Sequence, residues 1–280
     1  MPTPPIPNQR LEILEKAESY EDSDEGYQFA GTLVLYRLNG ILYHGRLKGR
    51  SSSPSDINAD DIMNVKQIPT SAYNPNYSIE FTLAPENLLN SCYIKKPQLL
   101  SYDRVSEGPQ PNLIAEDVLK EARVYEVLMQ HPHPNIATSL GCQVSDGRIT
   151  GLCLEKYPRT LMKEVNPGAL MKRALRNTRE VSEDYSRVLI DVESGLYHLH
   201  SLGLVHNDLN PSNIMVADDR AVIIDFGSCR KTGESLEYVG RTYEWHDEKI
   251  QQSLPENDLT ALEEIRIWLG LSLGVFQFDV

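Results

Sequence analysis

The feature that most constrains this chain is a change of hydrophobic period near residue 157. Before it, short runs rich in β-branched and aromatic residues alternate with polar breaks. These are TLVLYRL, ILYHGRL, VKQI and SIEFTL between Gly31 and about Leu83, then 91–95, 137–144 and 149–155. Such runs read as strands, because alternate side chains on a pleated ribbon face opposite sides. Asn39-Gly40 between two apolar runs predicts a two-residue hairpin, since both residues tolerate positive φ. One helix interrupts this half: Leu113, Val118, Leu119, Ala122, Tyr125 and Leu128 recur close to helical spacing, and His131-Pro132 closes a helix over 113–130. After Pro158 the pattern is helical, at 160–165, in a basic stretch over 171–179, over 182–201 with Ser182 as N-cap, and from 255 or 258 to 273. Two short strands, 213–216 and 221–224, flank a turn at Asp218-Asp219.

Strands first and helices second predict an α+β protein of two lobes with a cleft between them. The β-rich lobe is placed at 31–154 and the mainly helical one at 155–280. Residues 1–30 hold a proline-rich leader, a short helical candidate with Leu11, Leu14 and Ala17 on one face, and the acidic residues Glu18, Glu21, Asp22, Asp24 and Glu25. They are expected to form a flexible or loosely docked segment.

Composition removes several functions. A formal net charge of -13 over 280 residues argues against a general nucleic-acid binder, which needs clustered Lys and Arg against phosphates. The most apolar segment, 265–278, is broken by Arg266, two glycines, a serine and Gln277, short of the roughly 18 apolar residues of a membrane span. The start MPTPPIPNQR lacks the order of a secretory signal. Cys92, Cys142, Cys153 and Cys229 form no CxxC pair and read as reduced, buried thiols. The expectation is a soluble, intracellular, cytoplasmic protein with no membrane span.

The sharpest signal is His206-Asn207-Asp208-Leu209-Asn210-Pro211-Ser212-Asn213, followed after an apolar strand by Asp225-Phe226-Gly227. Phosphoryl transfer needs a carboxylate to orient and accept the proton of an attacking hydroxyl, plus oxygen ligands for Mg2+ beside the nucleotide phosphates. Asp208 suits the first role; Asn213 and Asp225 suit the second.

On these motifs the chain resembles the protein-kinase-like superfamily, over about residues 90–269. GLYHLHS at 195–201 resembles the end of the helix leading into the kinase catalytic loop. LCLEKY at 152–157 is similar to the strand entering the hinge, with Leu154 in the gatekeeper place and Glu155 to Tyr157 offering backbone groups to adenine. HPNI at 133–136 resembles the turn after the αC helix, which places Glu121 at the ion-pair glutamate. Its partner would be Lys95 of CYIK, gripping the α and β phosphates, with Lys96 in reserve because Lys-Lys blurs the register. GRTYEW at 240–245 resembles the end of an activation segment, and Asp258 the aspartate that anchors the catalytic loop from below. HNDLNPSN together with GRTYEWHD is similar to a group of fungal kinase-like proteins.

The resemblance implies a bilobal kinase-like fold, ATP and Mg2+ as cofactors, and phosphoryl transfer to a hydroxyl, with a protein Ser or Thr as acceptor. It assigns catalysis to Asp208, Lys95, Glu121 and Asn213, nucleotide binding to Lys95, Leu154, Glu155, Tyr157, Asn213 and Asp225, and metal binding to Asn213 and Asp225. Nucleotide and a protein substrate are the implied partners. Two alternatives stand beside this reading: a pseudokinase acting as a binding or scaffolding module, and a small-molecule kinase.

Departures from the family motivate those alternatives. No G-x-G-x-x-G precedes Lys95, and Gly40, Gly45 and Gly49 read as a hairpin far upstream. Tyr93 falls where kinases keep a small alanine over adenine. Asn207 replaces the arginine of H-R-D, and Asn210 replaces a lysine of Ser/Thr kinases. The resemblance ends with the helix at Asp258, short of the helices that dock protein substrates in the family. His198, His200, His206 and Asp208 form a conceivable zinc cluster, but the kinase register accounts for all four without metal. Lys172, Arg173, Arg176 and Arg179 read as a solvated helix face, with a dock for an acidic partner or for the acidic N-terminal segment as the alternative. Thr242 reads as a phosphosite or a hydroxyl of the substrate loop.

Overall fold

A computed structural model describes residues 11–21, 26, 28–51, 53–89, 91–178, 185–217 and 220–278. The proline-rich leader, Asp22, Asp24 and Glu25 of the acidic run, Arg179, the expected cap Ser182 and the turn Asp218-Asp219 lie outside the described residues. In chain order the elements are β1 (Leu11–Glu21), β2 (Gln28–Leu38), β3 (Ile41–Leu47), β4 (Met63–Gln67), β5 (Tyr93–Lys95), α1 (Tyr102–Glu107), α2 (Leu113–Gln130), β6 (Ser139–Ser145) and β7 (Arg148–Leu154). Then follow β8 (Arg159–Thr160), α3 (Leu161–Val165), α4 (Lys172–Thr178), α5 (Ser186–Ser201), β9 (Leu204–Val205), β10 (Ile214–Ala217), β11 (Arg220–Ile223), β12 (Arg230–Lys231) and α6 (Pro255–Trp268). The fold is α+β. No helix among the described residues is long and apolar enough to cross a membrane.

The chain divides into two compact units, each built from separate stretches of sequence. The first holds the described residues up to Tyr77 together with 96–119 and 144–151; the second holds 78–95, 120–143 and everything from Leu152 on. Residues 78–95 and 120–143 thus group with the mainly helical part of the chain rather than with the first sheet.

In the first unit, β1 to β4 form a four-stranded sheet in sequence order, antiparallel throughout. Asn39 and Gly40 turn β2 into β3 with φ of 53° and 85°, and Leu38 faces Ile41. Positive φ at both central residues matches the twist of a two-residue hairpin. One face packs Val34, Tyr36 and Leu47 on Ile57 and Ile62, with Leu11 and Ile13 beside them. The other packs Leu35 and Leu42 on Ile68, Leu99, Tyr102 and Ile114.

The helical candidate around Leu11, Leu14 and Ala17 is a strand instead. β1 pairs with β2 from Leu11 opposite Leu38 to Glu21 opposite Gln28, and Leu14 is the extra residue of a bulge between Ile13 and Glu15. A bulge resets the alternation by one residue. Leu11 and Ala17 lie on either side of it, and with Leu14 itself they fall at 11, 14 and 17, which imitates a helical face.

His44 on β3 is 2% exposed, with Nε2 3.0 Å from the carbonyl oxygen of Leu100. Burial pushes its imidazole below the ordinary 6.5; Asp103 opposes the shift, while Lys66 and Arg46 add to it. The folded state therefore keeps this ring neutral where the unfolded chain would protonate it. Its contribution to stability is complete above about pH 6.5 and is lost as pH falls below that value. Denaturant midpoints of the first unit should drop between pH 7.5 and roughly pH 5.5, and His44→Gln, which cannot titrate, should flatten the slope. An equal slope in the variant would exclude His44 as the source.

The second unit contains a sheet of order β11-β10-β8 and the pair β12-β9, together with β5 and the 152–154 end of β7. β5 runs antiparallel to β7, with Tyr93 opposite Leu154 and Lys95 opposite Leu152. α5 buries Leu189, Val192, Leu196 and Leu199, spaced three or four apart. It approaches its neighbours closely because Gly195 has no side chain: a Cβ there would sit 2.9 Å from the Asn135 carbonyl oxygen and 3.0 Å from Ile223. The Asn135 amide in turn donates to Ala221 O at 2.8 Å. α6 stops at Trp268, short of the expected 273. Gly270 adopts φ 78°, and the amides of Gly270 and Leu271 donate back to Ile267 and Arg266, which satisfies the last carbonyls of the helix.

SIEFTL is not a strand. Phe81 N–H closes a turn on Ser78 O, and only Leu83 makes a single bridge, to Cys142. The Thr82 amide and hydroxyl donate to the two carboxylate oxygens of Glu126 at 2.7 and 2.9 Å, so a side chain takes the place of a strand partner.

Candidate active site

The residues singled out by the motifs all lie in the second unit. Alternation along β5 directs Tyr93 and Lys95 to one face and Ile94 to the other. Lys95 Nζ donates to both oxygens of Glu121 on α2, at 2.7 and 2.8 Å, and to Asp225 Oδ1 at 2.7 Å. Lys95 fixes the register left open by the Lys-Lys pair, and Lys96 is exposed. Burial works against the Lys95 ammonium, but Glu121 and Asp225 outweigh it and hold its pKa above the ordinary value. Burial also pushes the Glu121 carboxyl up, against the pull of Lys95. Asp225 would rise with burial too, yet Lys95 and the Gly227 amide hold it down. Glu121 Oε1 also accepts the Phe226 amide at 3.2 Å, so one carboxylate ties strand, helix and the D-F-G turn together.

Asp208 lies in the loop between β9 and β10. Its Oδ1 accepts the Thr242 amide at 2.6 Å; its Oδ2 accepts the Thr242 hydroxyl and the Asn213 amide group, both at 3.1 Å. Asn213 Nδ2 also donates to Asp208 O at 2.9 Å, which turns its amide oxygen away from Asp208. Asn210 caps the short turn over 211–213 by accepting from Ser212 N, and its Nδ2 donates to Asp208 O and to Thr242 Oγ1 at 3.0 and 3.1 Å.

Beneath this loop Asp258, in the first turn of α6, is 0% exposed. It accepts the amides of His206 and Asn207 and His200 Nε2, each at 2.8 Å. His206 donates from Nε2 to Ile224 O and accepts the Asp208 amide at Nδ1. Its ring meets Phe226 edge-on at 5.3 Å, and Phe226 meets Tyr125 of α2 at 5.4 Å. Asn207, with φ 63°, donates to Val205 O, Ser228 O and Ser253 Oγ and accepts from Asn257. Asn207 thus reaches the 225–245 segment through one neutral hydrogen bond, to Ser228 O at 3.4 Å, and otherwise joins Val205, Ser253 and Asn257.

His198 bonds the His131 carbonyl, His200 bonds Asp258 and His206 bonds Ile224, so the three imidazoles have separate partners. Among the described residues no group of three or more His, Cys, Asp or Glu side chains is placed to hold a metal ion. Leu154 ends β7, and Tyr157 folds back so that its hydroxyl accepts from Thr138 N and donates to Glu155. Tyr93 is 55% exposed.

Two findings depart from the sequence reading. Lys172, expected on a solvated face, is buried and ion-paired to buried Glu264, because Trp245, Phe276 and Phe278 enclose it. Nothing local in MKRALRN distinguishes this lysine from Arg173, which is exposed. Tyr125 was legible only as a core position of α2. Its hydroxyl is buried with no hydrogen-bond partner among the described residues, and burial pushes its pKa well up.

Residues 91–248 match the protein kinase domain, more than half of the chain. The chain belongs to that family. Sperm motility kinase 2B of Mus musculus is 34% identical over 157 residues, which cover 55% of this chain and 29% of that protein. Serine/threonine-protein kinase Tao of Drosophila melanogaster is 28% identical over 170 residues, 60% of this chain and 14% of that protein. The chain therefore spans less than a third of these relatives. A solved yeast RNA Pol II CTD kinase complex aligns at 18% identity with a TM-score of 0.41, covering 53% of this chain and 49% of that one.

Proposed function

We propose that this chain binds a magnesium nucleotide and transfers its terminal phosphoryl group to a hydroxyl, with a protein Ser or Thr as acceptor. The observation that carries the reading is that Asp208 already holds a hydroxyl, that of Thr242, 3.1 Å from Oδ2. An acceptor hydroxyl bound in the same way would be oriented for attack and could pass its proton to the carboxylate. The names of the serine/threonine kinase relatives support a protein acceptor.

The donor set fits Mg2+. Asp225 keeps Oδ2 outside its contacts with Lys95 and Gly227, and the amide oxygen of Asn213 is turned away from Asp208. Both are hard oxygen donors, and the remaining positions suit phosphate oxygens and water. When bound, the ion would neutralise charge on the phosphates. Lys95, steadied by Glu121, would hold the same phosphates, and Asp225 would offer Oδ2 to the ion. Catalysis of this kind rests on positioning and electrostatics more than on covalent chemistry, which a small set of fixed side chains can supply.

The test is thermal unfolding with and without Mg-ATP, together with transfer of labelled phosphate. Nucleotide at about 100 times its Kd should stabilise the protein by about 2.7 kcal/mol. Asp225→Ala should abolish that upshift while lowering the nucleotide-free transition only modestly, since Lys95 keeps its ion pair with Glu121. An equal upshift in the variant would put the nucleotide elsewhere. An upshift without any labelled product, from protein or small-molecule acceptors, would replace the enzyme by a nucleotide-binding scaffold.

A further inference from the structure

Lys172 is 3% exposed at the start of α4. Its ammonium donates to Glu264 of α6 and to the carbonyl of Glu244 at 2.9 Å. The rings of Trp245, Phe276 and Phe278 lie 4.7, 4.3 and 5.8 Å from Nζ. The second oxygen of Glu264 accepts the Gln277 amide at 2.6 Å, so both ends of the pair are held. Aromatic faces around the ammonium add cation–π attraction that strengthens when water is excluded.

Two charges at 1% exposure are a poor device for stability alone. An apolar pair of the same volume packs as well without the cost of desolvation. What the ion pair adds is direction: it aims a charged donor at one carbonyl. That carbonyl belongs to Glu244, whose φ of 66° lies in the left-handed region, where a residue with a side chain persists only if its surroundings hold it. Glu244 sits two residues after Thr242, and the Trp245 amide closes the turn on Thr242 O at 3.2 Å. Thr242 in turn holds Asp208 through its amide and hydroxyl.

We infer that Lys172, through its pair with Glu264, is a positioning residue that fixes the 242–245 turn in register with Asp208 and thereby sets the binding of the hydroxyl acceptor. The part concerning the acceptor rests on the proposed phosphoryl transfer; the part concerning the turn does not.

The test uses the full chain with Lys172→Met combined with Glu264→Gln, which removes both charges at nearly constant volume and keeps an acceptor for Gln277. Amide hydrogen exchange at 242–245 should accelerate about tenfold or more, the effect of losing one charge-assisted hydrogen bond. The Mg-ATP upshift should be unchanged. KM for the acceptor should rise about tenfold with little change in kcat, and Lys172→Arg, which keeps charge and donors, should restore most of both effects. Unchanged exchange at 242–245 overturns the inference, as does acceleration spread evenly over α6, which would mark a purely structural pair. If the wild type transfers no phosphate, the proposed function fails while the exchange result still decides the role of Lys172. Should the double variant not fold, wild-type exchange in low denaturant decides instead. The amides of 242–245 and of α4 should then open together, and independent opening overturns the inference.

Discussion

Asp208→Asn should lower phosphoryl transfer by about 10²- to 10⁴-fold, the usual range for a positioned acid–base group. Size and shape are preserved, so the loss isolates the carboxylate. Both oxygens of Asp208 accept hydrogen bonds, Oδ1 from the Thr242 amide and Oδ2 from the Thr242 hydroxyl and Asn213. An amide in the same place turns an NH2 group toward a donor whichever way it is flipped. The Thr242 contact is then lost on one side, and no oxygen is left that can take a proton. Nucleotide binding should survive, because Lys95, Glu121 and Asp225 make no contact with Asp208 in their own hydrogen-bond set. Single-turnover transfer of labelled phosphate at saturating Mg-ATP measures the first effect, and the thermal upshift measures the second. Transfer retained within tenfold would remove Asp208 from the chemistry; a lost upshift would mean that its loop shapes the nucleotide site as well.

The residues that the motifs single out were legible because they lie in short segments with fixed spacing. H-x-D-x-x-x-x-N places Asp208 and Asn213 on one tight loop, and D-F-G places Asp225 at a turn with φ 64°. Glu121 came from the resemblance of HPNI at 133–136 to the turn after the kinase αC helix, counted back through Leu128 along α2. Long-range choices were less legible. Whether Leu11 to Glu21 forms helix or strand depends on one bulge residue, Leu14, and on pairing with β2, neither of which has a local signature. The burial of Lys172 depends on Trp245, Glu264 and Phe276, which stand 73 to 104 positions away in the chain and meet it only in the folded state. SIEFTL has the composition of a strand, but Glu126 captures Thr82 first. Propensity sets what a segment can do, and tertiary partners decide among the options.

Asp258→Asn should cost on the order of 1.5–3 kcal/mol of stability in the second unit, the range for hydrogen bonds to a buried charged group. Asp258 has no exposed surface, and its oxygens receive three donors at 2.8 Å: the His206 amide and the His200 ring on Oδ2, and the Asn207 amide on Oδ1. Its position in the first turn of α6 adds the favourable field of a helix N-terminus. An amide side chain supplies one acceptor and one donor, so an N–H must face an N–H on one side. On the Oδ1 side that leaves the Asn207 amide unpaired; on the Oδ2 side it leaves His206 and His200 unpaired. Asp258 and His206 have no exposed surface, so water has little access to the group left unpaired. The same two backbone amides carry the loop that presents Asp208, so turnover should fall with stability, whereas Asp208→Asn should leave the unfolding midpoint almost unmoved. Urea unfolding of both variants separates the two residues. A loss below about 1 kcal/mol for Asp258→Asn would show that the catalytic loop is held chiefly by Asn207 and its bonds to Ser228, Ser253 and Asn257.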